Sequence, residues 1–324
     1  MTTRRAVLVT LGTTLLGLSR GGRAQPATKV PHIGYLSRET EQERGAMLTA
    51  LKAGLRDLGY IDGKNIAIDV RWAGSDASTL PELAASLVQT NPAAIIGTCI
   101  PSTRAAKKAT RTIPVVMSID GDPVEAGLVS SLARPGGNVT GTSTLFDELI
   151  PKWLELLNAA VPKVRHFGFL SYDNPYFWAQ LEGAAQRIGV KTSGIEIHSL
   201  ADLDRAFDAM PKQGAGALVV MTDPFMAGHL KQIVALADRY QLPAIYGFRE
   251  FAEAGGLMSY GLSFRDYFKR VARYIDLVLK GANPADLPVE QASKIELVIN
   301  LATARKLGVT LPAHLLARAE GLIG

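Results

Sequence analysis

Hydrophobic and polar positions follow two periods that alternate along most of the chain. Residues 32–37 form a short apolar run, and residues 41–58 then carry apolar side chains at the three- and four-residue spacing of a helix. The same alternation continues in strand patterns at 65–72, 94–98 and 114–119 and helical patterns at 80–88 and 103–109. Strands and helices that alternate at this spacing predict a parallel sheet with helices on both faces.

The pattern restarts after about residue 150. Strand patterns occur at 167–171, 194–198, 217–221 and 244–246, and helical patterns at 153–160, 177–188, 201–210 and 224–240. A long helix is predicted at 264–279, followed by an extended pair at 288–291 and 295–299 and by helices at 302–307 and 313–322. We therefore expect an α/β protein with two Rossmann-like open parallel-sheet lobes, joined by a multi-strand hinge because the chain passes between the lobes more than once.

The two pattern blocks give an expected domain organisation. At 324 residues the chain is longer than one ordinary core requires. We expect residues 30–143 to form lobe 1, with a return segment at about 264–290, and residues 144–263 to form lobe 2. The lobe to which the tail 291–324 belongs is left open.

Residues 1–24 have the organisation of an export signal. Arg4 and Arg5 precede an uncharged apolar run, and Gly22 and Ala24 offer small residues before a cut after Ala24. A membrane anchor is the alternative, but it needs about 20 apolar residues, more than this run provides. We expect a signal peptide of the Sec type or, since residues 3–8 (TRRAVL) resemble it, of the twin-arginine type, and a periplasmic protein.

Charge and cysteine content exclude several classes of function and of structural support. Residues 1–24 hold four of the 35 basic residues and no acid, so the formal charge of +5 falls to +1 without them. No clustered basic face is evident, and we expect no nucleic-acid partner. The single cysteine, Cys99, excludes a disulfide framework and a cysteine-rich zinc site.

Four sequence segments resemble a known family. They are residues 59–65 (GYIDGKN) with Trp72, residues 80–84 (LPELA), residues 121–124 (GDPV) with 132–141 (LARPGGNVTG), and residues 287–291 (LPVEQ) with 297–301 (LVINL). Together they resemble the type I periplasmic substrate-binding proteins of ABC transporters, in particular the subfamily with tryptophan- and tyrosine-binding members.

The resemblance implies an exported, non-catalytic receptor. Such a receptor closes two lobes on a small-molecule ligand and delivers it to the permease subunits of an ABC importer. We expect a monomer without cofactor. Two alternatives are a two-lobed enzyme acting on a small metabolite, which would need a catalytic constellation, and a periplasmic ligand sensor with the same fold.

Polar residues in the first lobe stand where predicted strands end. In parallel sheets these ends face the ligand crevice. The candidate ligand-binding residues there are Ser37, Thr98, Ser102, Asp120 and Ser143. Helix capping alone would also explain Ser102, and Asp120 could instead form a turn.

The second lobe contributes aromatic and acidic candidates. These are Asn174, Asp223, Tyr246 and Tyr260, each near the end of a predicted strand. An acidic Asp223 suits an ammonium group, and Arg249 or a helix N-terminus would suit a carboxylate. We therefore expect an amino acid or an aromatic acid as the ligand, while packing beneath the loops is the alternative for the aromatic side chains.

The sequence gives little support for a catalytic function. The five histidines form no His-Glu-x-x-His pair, and no Gly-x-Ser-x-Gly elbow or Gly-rich phosphate loop occurs. Cys99 has no adjacent histidine and is interpreted as a small buried apolar residue. We expect no catalytic residues and no metal site.

Overall fold

Two β-sheets and the helices on their faces organise the protein. The computed structural model describes residues 30–74, 76–144, 149–172, 177–221, 223–292 and 294–324. The strands are β1 (His32–Ser37), β2 (Ala67–Trp72), β3 (Ala94–Gly97), β4 (Val115–Asp120), β5 (Val139–Thr144), β6 (His166–Tyr172), β7 (Lys191–Ile197), β8 (Ala217–Val220), β9 (Ala244–Phe248), β10 (Met258–Leu262), β11 (Glu290–Gln291), β12 (Glu296–Asn300) and β13 (Gly321–Ile323). The helices are α1 (Glu41–Asp57), α2 (Leu80–Gln89), α3 (Ile100–Ala109), α4 (Ile150–Ala160), α5 (Phe177–Ile188), α6 (Asp202–Lys212), α7 (Pro224–Gly228), α8 (Leu230–Arg239), α9 (Arg249–Glu253), α10 (Phe264–Leu279), α11 (Leu301–Lys306) and α12 (Ala313–Leu316).

The strand orders show two open α/β sheets. The six-stranded sheet has the order β11-β5-β4-β3-β1-β2, and its strand pairs are parallel. The seven-stranded sheet has the order β13-β12-β10-β9-β8-β6-β7, with β10 and β12 antiparallel and the other pairs parallel. We call the six-stranded sheet with α1, α2, α3 and α10 the first lobe, and the seven-stranded sheet with the remaining helices the second lobe.

Each sheet is buried on both faces. In the first lobe α1 and α10 cover the face that carries Ile33 and Val116, and α2 and α3 cover the face that carries Ile95 and Met117. In the second lobe α6 to α9 cover one face, and α4, α5, α11 and α12 cover the other. Burial on both faces explains why these strands are near-continuous apolar runs in the sequence.

Helix α10 follows a strand of the second sheet but packs on the first. The Ser263 side chain caps it by accepting a hydrogen bond from the Asp266 N–H. Phe268, Val271 and Ile275 recur at helical spacing and are buried against the first sheet. The helix lies close to α1, since a Cβ added at Gly54 would be 3.0 Å from the Cβ of Ala272.

The order of the elements takes the chain between the lobes three times among the described residues. Strand β5 belongs to the first sheet, and the next helix, α4, belongs to the second lobe. The chain returns between β10 and α10, and it passes to the second lobe again between β11 and β12. The tail, whose lobe the sequence left open, thus adds β12 and β13 to the second sheet.

Several elements differ from the sequence-based prediction, three of them for clear structural reasons. Strand β7 begins at Lys191 rather than 194, and as an edge strand it is only partly buried, which weakens its periodicity. The helix predicted at 224–240 is divided at His229, whose Nδ1 lies 2.8 Å from the Phe225 carbonyl oxygen. Residues predicted to be helical at 313–322 form the short α12 and the beginning of β13.

No helix in the part of the chain that the structure describes combines the length and apolar character needed to cross a membrane.

Candidate ligand-binding site

The loops that follow β1 and β8 bring the two lobes together. Helix α1, after β1, packs against α7, after β8. A Cβ added at Gly228 would lie 3.3 Å from the Cβ of Ala46 on α1. Because ligands of open α/β sheets bind outside the carboxyl ends of the strands, this inter-lobe edge is the candidate site.

Two hydroxyl groups predicted from the sequence meet at this edge. Thr98 donates towards the Ser37 Oγ (3.1 Å) and the Leu36 carbonyl oxygen (3.3 Å). Ser37 in turn donates to Oε2 of Glu39 (3.0 Å). Both hydroxyl-bearing residues are buried. The structure therefore brings Ser37 and Thr98 together, but directs their hydrogen bonds to a carboxylate of the same lobe.

Arg44 lies between two carboxylates that belong to different lobes. Its Nη2 donates to Oε1 of Glu39 at 2.9 Å and lies 4.0 Å from Oδ2 of Asp223. The side chains of Glu39, Arg44 and Asp223 are 6%, 17% and 22% exposed. The formal charges of these three residues sum to one negative charge, which the more exposed Arg38, 3.4 Å from Oε1 of Glu39, balances.

Burial and charge act in opposite directions on these groups. Burial lowers the pKa of Arg44, but the carboxylates of Glu39 and Asp223 outweigh it, so that the pKa is raised overall. Burial raises the pKa of Asp223, and the lowering by Arg44 and by the Phe225 N–H only partly offsets it. Asp223 therefore takes up a proton more readily than an exposed aspartate, while Arg44 stays charged.

Asp223 also starts a helix. Its Oδ1 accepts a hydrogen bond from the Phe225 N–H at 2.6 Å and caps α7. The extended backbone of Asp223 and the Pro224 that follows it are typical of a helix start. One carboxylate oxygen is thus used locally, and the other is turned towards the first lobe.

Two aromatic residues pack together at the start of α7. Tyr172 at the end of β6 stacks on Phe225, with ring centroids 4.0 Å apart and planes 13° apart. Phe225 also contacts the His229 ring at 4.4 Å between centroids. Both Tyr172 and Phe225 are buried in the core of the second lobe, so this pair gives the start of α7 an apolar support.

Ser102 serves the first turn of α3. Its Oγ accepts from the Cys99 N–H and donates to the Cys99 carbonyl oxygen, both at 3.1 Å. The Cys99 Sγ lies 3.2 Å from the same oxygen, and burial raises the pKa of the thiol. These contacts use Ser102 as a capping residue, which is the alternative that the sequence left open.

The remaining polar candidates of the first lobe lie on neighbouring strands. Asp120 ends β4 opposite Thr144, and Ser143 lies on β5 opposite Ile119 and Gln291. Ser143 is fully buried, and its hydroxyl has no hydrogen-bond partner among the described residues. Asn174, a candidate of the second lobe, lies outside the described residues.

Sequence comparison identifies the family. A family model described as ABC transporter substrate binding protein matches residues 42–323, which is most of the chain. The chain belongs to this family. The resemblance found in the four sequence segments is thus confirmed.

Members of the family with known ligands or structures resemble the chain over most of its length. A tyrosine-binding protein of Clostridioides difficile (strain R20291) is 30% identical over 258 residues, which cover 78% of this chain and 74% of that protein. A crystal structure of an ABC domain in complex with L-Trp from Streptococcus pneumoniae is 28% identical, covers 90% of this chain and 99% of that one, and has a TM-score of 0.69. A ligand-free, open structure of a substrate-binding protein with adhesive properties from Clostridium difficile is 25% identical, covers 91% and 99%, and has a TM-score of 0.56.

Two tyrosines predicted for loops at the crevice lie within strands. Tyr246 is in the middle of β9, because the strand runs on to Phe248. Its ring is buried, stacks on Phe251 with centroids 4.6 Å apart, and burial raises its pKa. A Cβ added at Gly256 would lie 2.5 Å from this ring, so the ring packs directly against that glycine.

Tyr260 is likewise within a strand. β10 extends to Leu262, and the Tyr260 ring packs against the core on the side of α4 and α5. Its carbonyl oxygen accepts a hydrogen bond from Trp153 Nε1 at 2.6 Å. The structure therefore corrects the placement of both tyrosines: they are core or strand residues, not members of the loops at the crevice.

Arg249, considered for a ligand carboxylate, has other partners. It donates to Glu253 at 2.8 Å and to Glu296 at 2.9 Å. Both contacts lie within the second lobe: the first stays within α9, and the second ties α9 to β12.

Glu39 and Arg44 belong to the candidate site, although no sequence motif marks them. Arg44 continues the apolar stripe of Met47, Leu51 and Leu55 on α1 at helical spacing. A charged residue on the buried stripe of a helix needs a partner of opposite charge, and this requirement is the sequence signal for Arg44. The sequence signal for Glu39 is weaker, because it consists only of the position of this residue after the first predicted strand.

Proposed function

We propose that the protein is an exported receptor that captures an aromatic amino acid between its two lobes and delivers it to the permease of an ABC importer. The observation that carries this proposal is the meeting of Glu39, Arg44 and Asp223 across the lobe boundary, beside the Tyr172–Phe225 pair. Charged groups next to aromatic side chains suit a ligand with both polar and aromatic parts.

The charge of the site supports an amino acid over an aromatic acid without an amine. Asp223 offers a carboxylate oxygen that is not used for helix capping. An ammonium group would give this carboxylate a charge-assisted hydrogen-bond donor, since Arg44 lies 4.0 Å from it. The tyrosine-binding relative and the L-Trp-bound structure support the same ligand class.

The arrangement of the lobes supports binding by closure. α1 and α7 are in contact across the boundary. At nearly equal coverage, the TM-score is 0.69 with the L-Trp complex and 0.56 with the ligand-free, open structure. We infer that the lobes move about the three crossings as domains, and that the ligand favours the closed arrangement.

Residues 1–24 support export. The segment has charged, apolar and small-residue regions in the order of a signal peptide. We propose that it is removed on export and that the mature protein acts in the periplasm as a binding protein rather than as an enzyme.

A matched pair of ligands tests the proposal. The mature protein, from residue 25 on, is unfolded and refolded to remove bound ligand and then titrated with L-tyrosine, L-tryptophan and their deaminated analogues. At 100 times the dissociation constant a ligand should add about 2.7 kcal/mol to the free energy of unfolding. We expect a thermal shift with the amino acids and none with the deaminated acids. The absence of a shift with every amino acid would contradict the proposed ligand class.

A further inference from the structure

We propose that Arg44 is a positioning residue for ligand capture: it stabilises the closed arrangement by pairing with Asp223 of the opposite lobe, without contacting the ligand. The inference deepens the proposed function, since it concerns the same site and assumes that the lobes open and close. It rests on the contacts of Arg44 with two carboxylates that belong to different lobes.

The first of these contacts stays within one lobe. Glu39 accepts hydrogen bonds from Arg44 at 2.9 Å and from Ser37 at 3.0 Å. Thr98, just after the neighbouring strand β3, donates in turn to Ser37. This chain of hydrogen bonds anchors the guanidinium to the ends of β1 and β3. Arg44 is therefore held in place whether or not the second lobe is near.

The second contact exists only when the lobes are together. Asp223 belongs to the loop between β8 and α7, and its Oδ2 lies 4.0 Å from Arg44 Nη2. A guanidinium has five N–H donors, so one arginine can serve both carboxylates. When the lobes separate, Asp223 loses a cation while the Arg44–Glu39 pair remains. The attraction between Arg44 and Asp223 thus favours closure alone.

Arg38 provides an internal comparison. It also pairs with Glu39, at 3.4 Å, but its side chain is 41% exposed, against 17% for Arg44. No ion pair between Arg38 and Asp223 is found among the described residues. Replacing Arg38 removes one cation from the same carboxylate and leaves the inter-lobe contact unchanged.

Disulfide trapping measures closure without any ligand. Ala46→Cys and Gly228→Cys are introduced together with Cys99→Ala, because a Cβ at position 228 would lie 3.3 Å from that of Ala46, close to the spacing of a disulfide. The rate of cross-link formation with a fixed oxidant, in protein refolded without ligand, then follows the closed population.

We expect Arg44→Gln to slow cross-linking about tenfold, as loss of a partly desolvated charge pair should, and Arg38→Gln to leave the rate unchanged. In an Asp223→Asn background Arg44→Gln should have no further effect, because the partner charge is already absent. Arg44→Lys, which keeps one charge but lacks the fork of donors, should give an intermediate rate and serves if Arg44→Gln folds poorly by circular dichroism.

Equal rates for the Arg44→Gln and Arg38→Gln variants would overturn the inference, as would a full effect of Arg44→Gln in the Asp223→Asn background. A normal cross-linking rate combined with weaker ligand binding would also overturn it, since Arg44 would then act by touching the ligand. If no amino acid binds but cross-linking still depends on Arg44 and Asp223 together, the ligand proposal fails and this inference stands.

Discussion

Asp223 caps helix α7 with one carboxylate oxygen and turns the other towards Arg44 of the opposite lobe, at 4.0 Å. The two roles have different chemical requirements. Capping needs an oxygen acceptor, whereas attraction to Arg44 or to a ligand ammonium needs a negative charge. Substitutions at this one position can therefore separate local folding from binding.

Asp223→Asn should weaken amino-acid binding while leaving the protein at least as stable at neutral pH. Asparagine caps helices as well as aspartate does, and it lacks the buried charge. Asp223→Ala should weaken binding similarly and also lose about 1 kcal/mol of stability with the cap. Titration calorimetry and urea unfolding measure the two effects, and equal stability of the Asn and Ala variants would contradict the capping role.

Acidification should affect binding and stability in opposite directions through the same carboxyl group. Burial raises the pKa of Asp223, so the folded state holds its proton at a pH where the unfolded chain has released it. The contribution of this group to the free energy of unfolding therefore grows as the pH falls through the raised pKa. Ligand affinity should fall over the same interval, because protonated Asp223 attracts neither Arg44 nor an ammonium group. The Asp223→Asn variant should lack this step in affinity.

Tyr246→Phe should leave ligand affinity unchanged. The Tyr246 ring is buried within the core of the second lobe, and its hydroxyl has no hydrogen-bond partner among the described residues. Removing that hydroxyl should be neutral or slightly stabilising, whereas Tyr246→Ala should cost about 3–5 kcal/mol by leaving a cavity. Affinity that drops in the phenylalanine variant with normal folding would place Tyr246 at the site after all.

Gly141→Ala should destabilise the first lobe. Gly141 has φ +131°, and an added Cβ would lie 2.3 Å from the Met117 carbonyl oxygen on the adjacent strand. We expect a loss of about 2–4 kcal/mol from the clash and the backbone strain together. Gly137→Ala is the matched control, because nothing lies within 4 Å of its added Cβ. Equal unfolding midpoints in urea would show that β5 can shift.

Cys99 should react slowly with iodoacetamide at neutral pH. Burial, followed by the charge of Glu39, raises the pKa of the thiol, and the thiolate is the reactive form. Mass spectrometry gives the rate, and the same protein unfolded in urea supplies the rate of an accessible thiol. Equal rates in the folded and unfolded protein would contradict the raised pKa of the thiol.

The fold could be predicted because strands and helices alternate along the chain, and each has its own spacing of apolar residues in the sequence. Apolar runs mark strands buried on both faces, and the α/β prediction with two open sheets is confirmed by the sheet topology and the solved structures. The weakest predictions concern the edge strands β7 and β13. An edge strand is only partly buried, so its side chains carry less of the pattern.

The site was predictable only where strand ends were placed correctly. Ser37 lies at the end of β1, and Thr98 and Asp223 lie one and three residues after β3 and β8, as loop positions require. The predicted strand ends at Tyr246 and so places this residue at the loop, although β9 continues to Phe248. The pairing of Arg44 could not be predicted, because two residues that form an ion pair across the lobes have no fixed spacing in the sequence.

The three passages of the chain between the lobes limit how the protein can be cut into separate domains. The first sheet takes strands from residues 32–144 and from 290–291, and the second takes strands from 166–262 and from 296–323. Neither lobe is a continuous piece of the chain. No single cut in the chain therefore separates the two lobes, and a stand-alone lobe would require two distant segments to be spliced together.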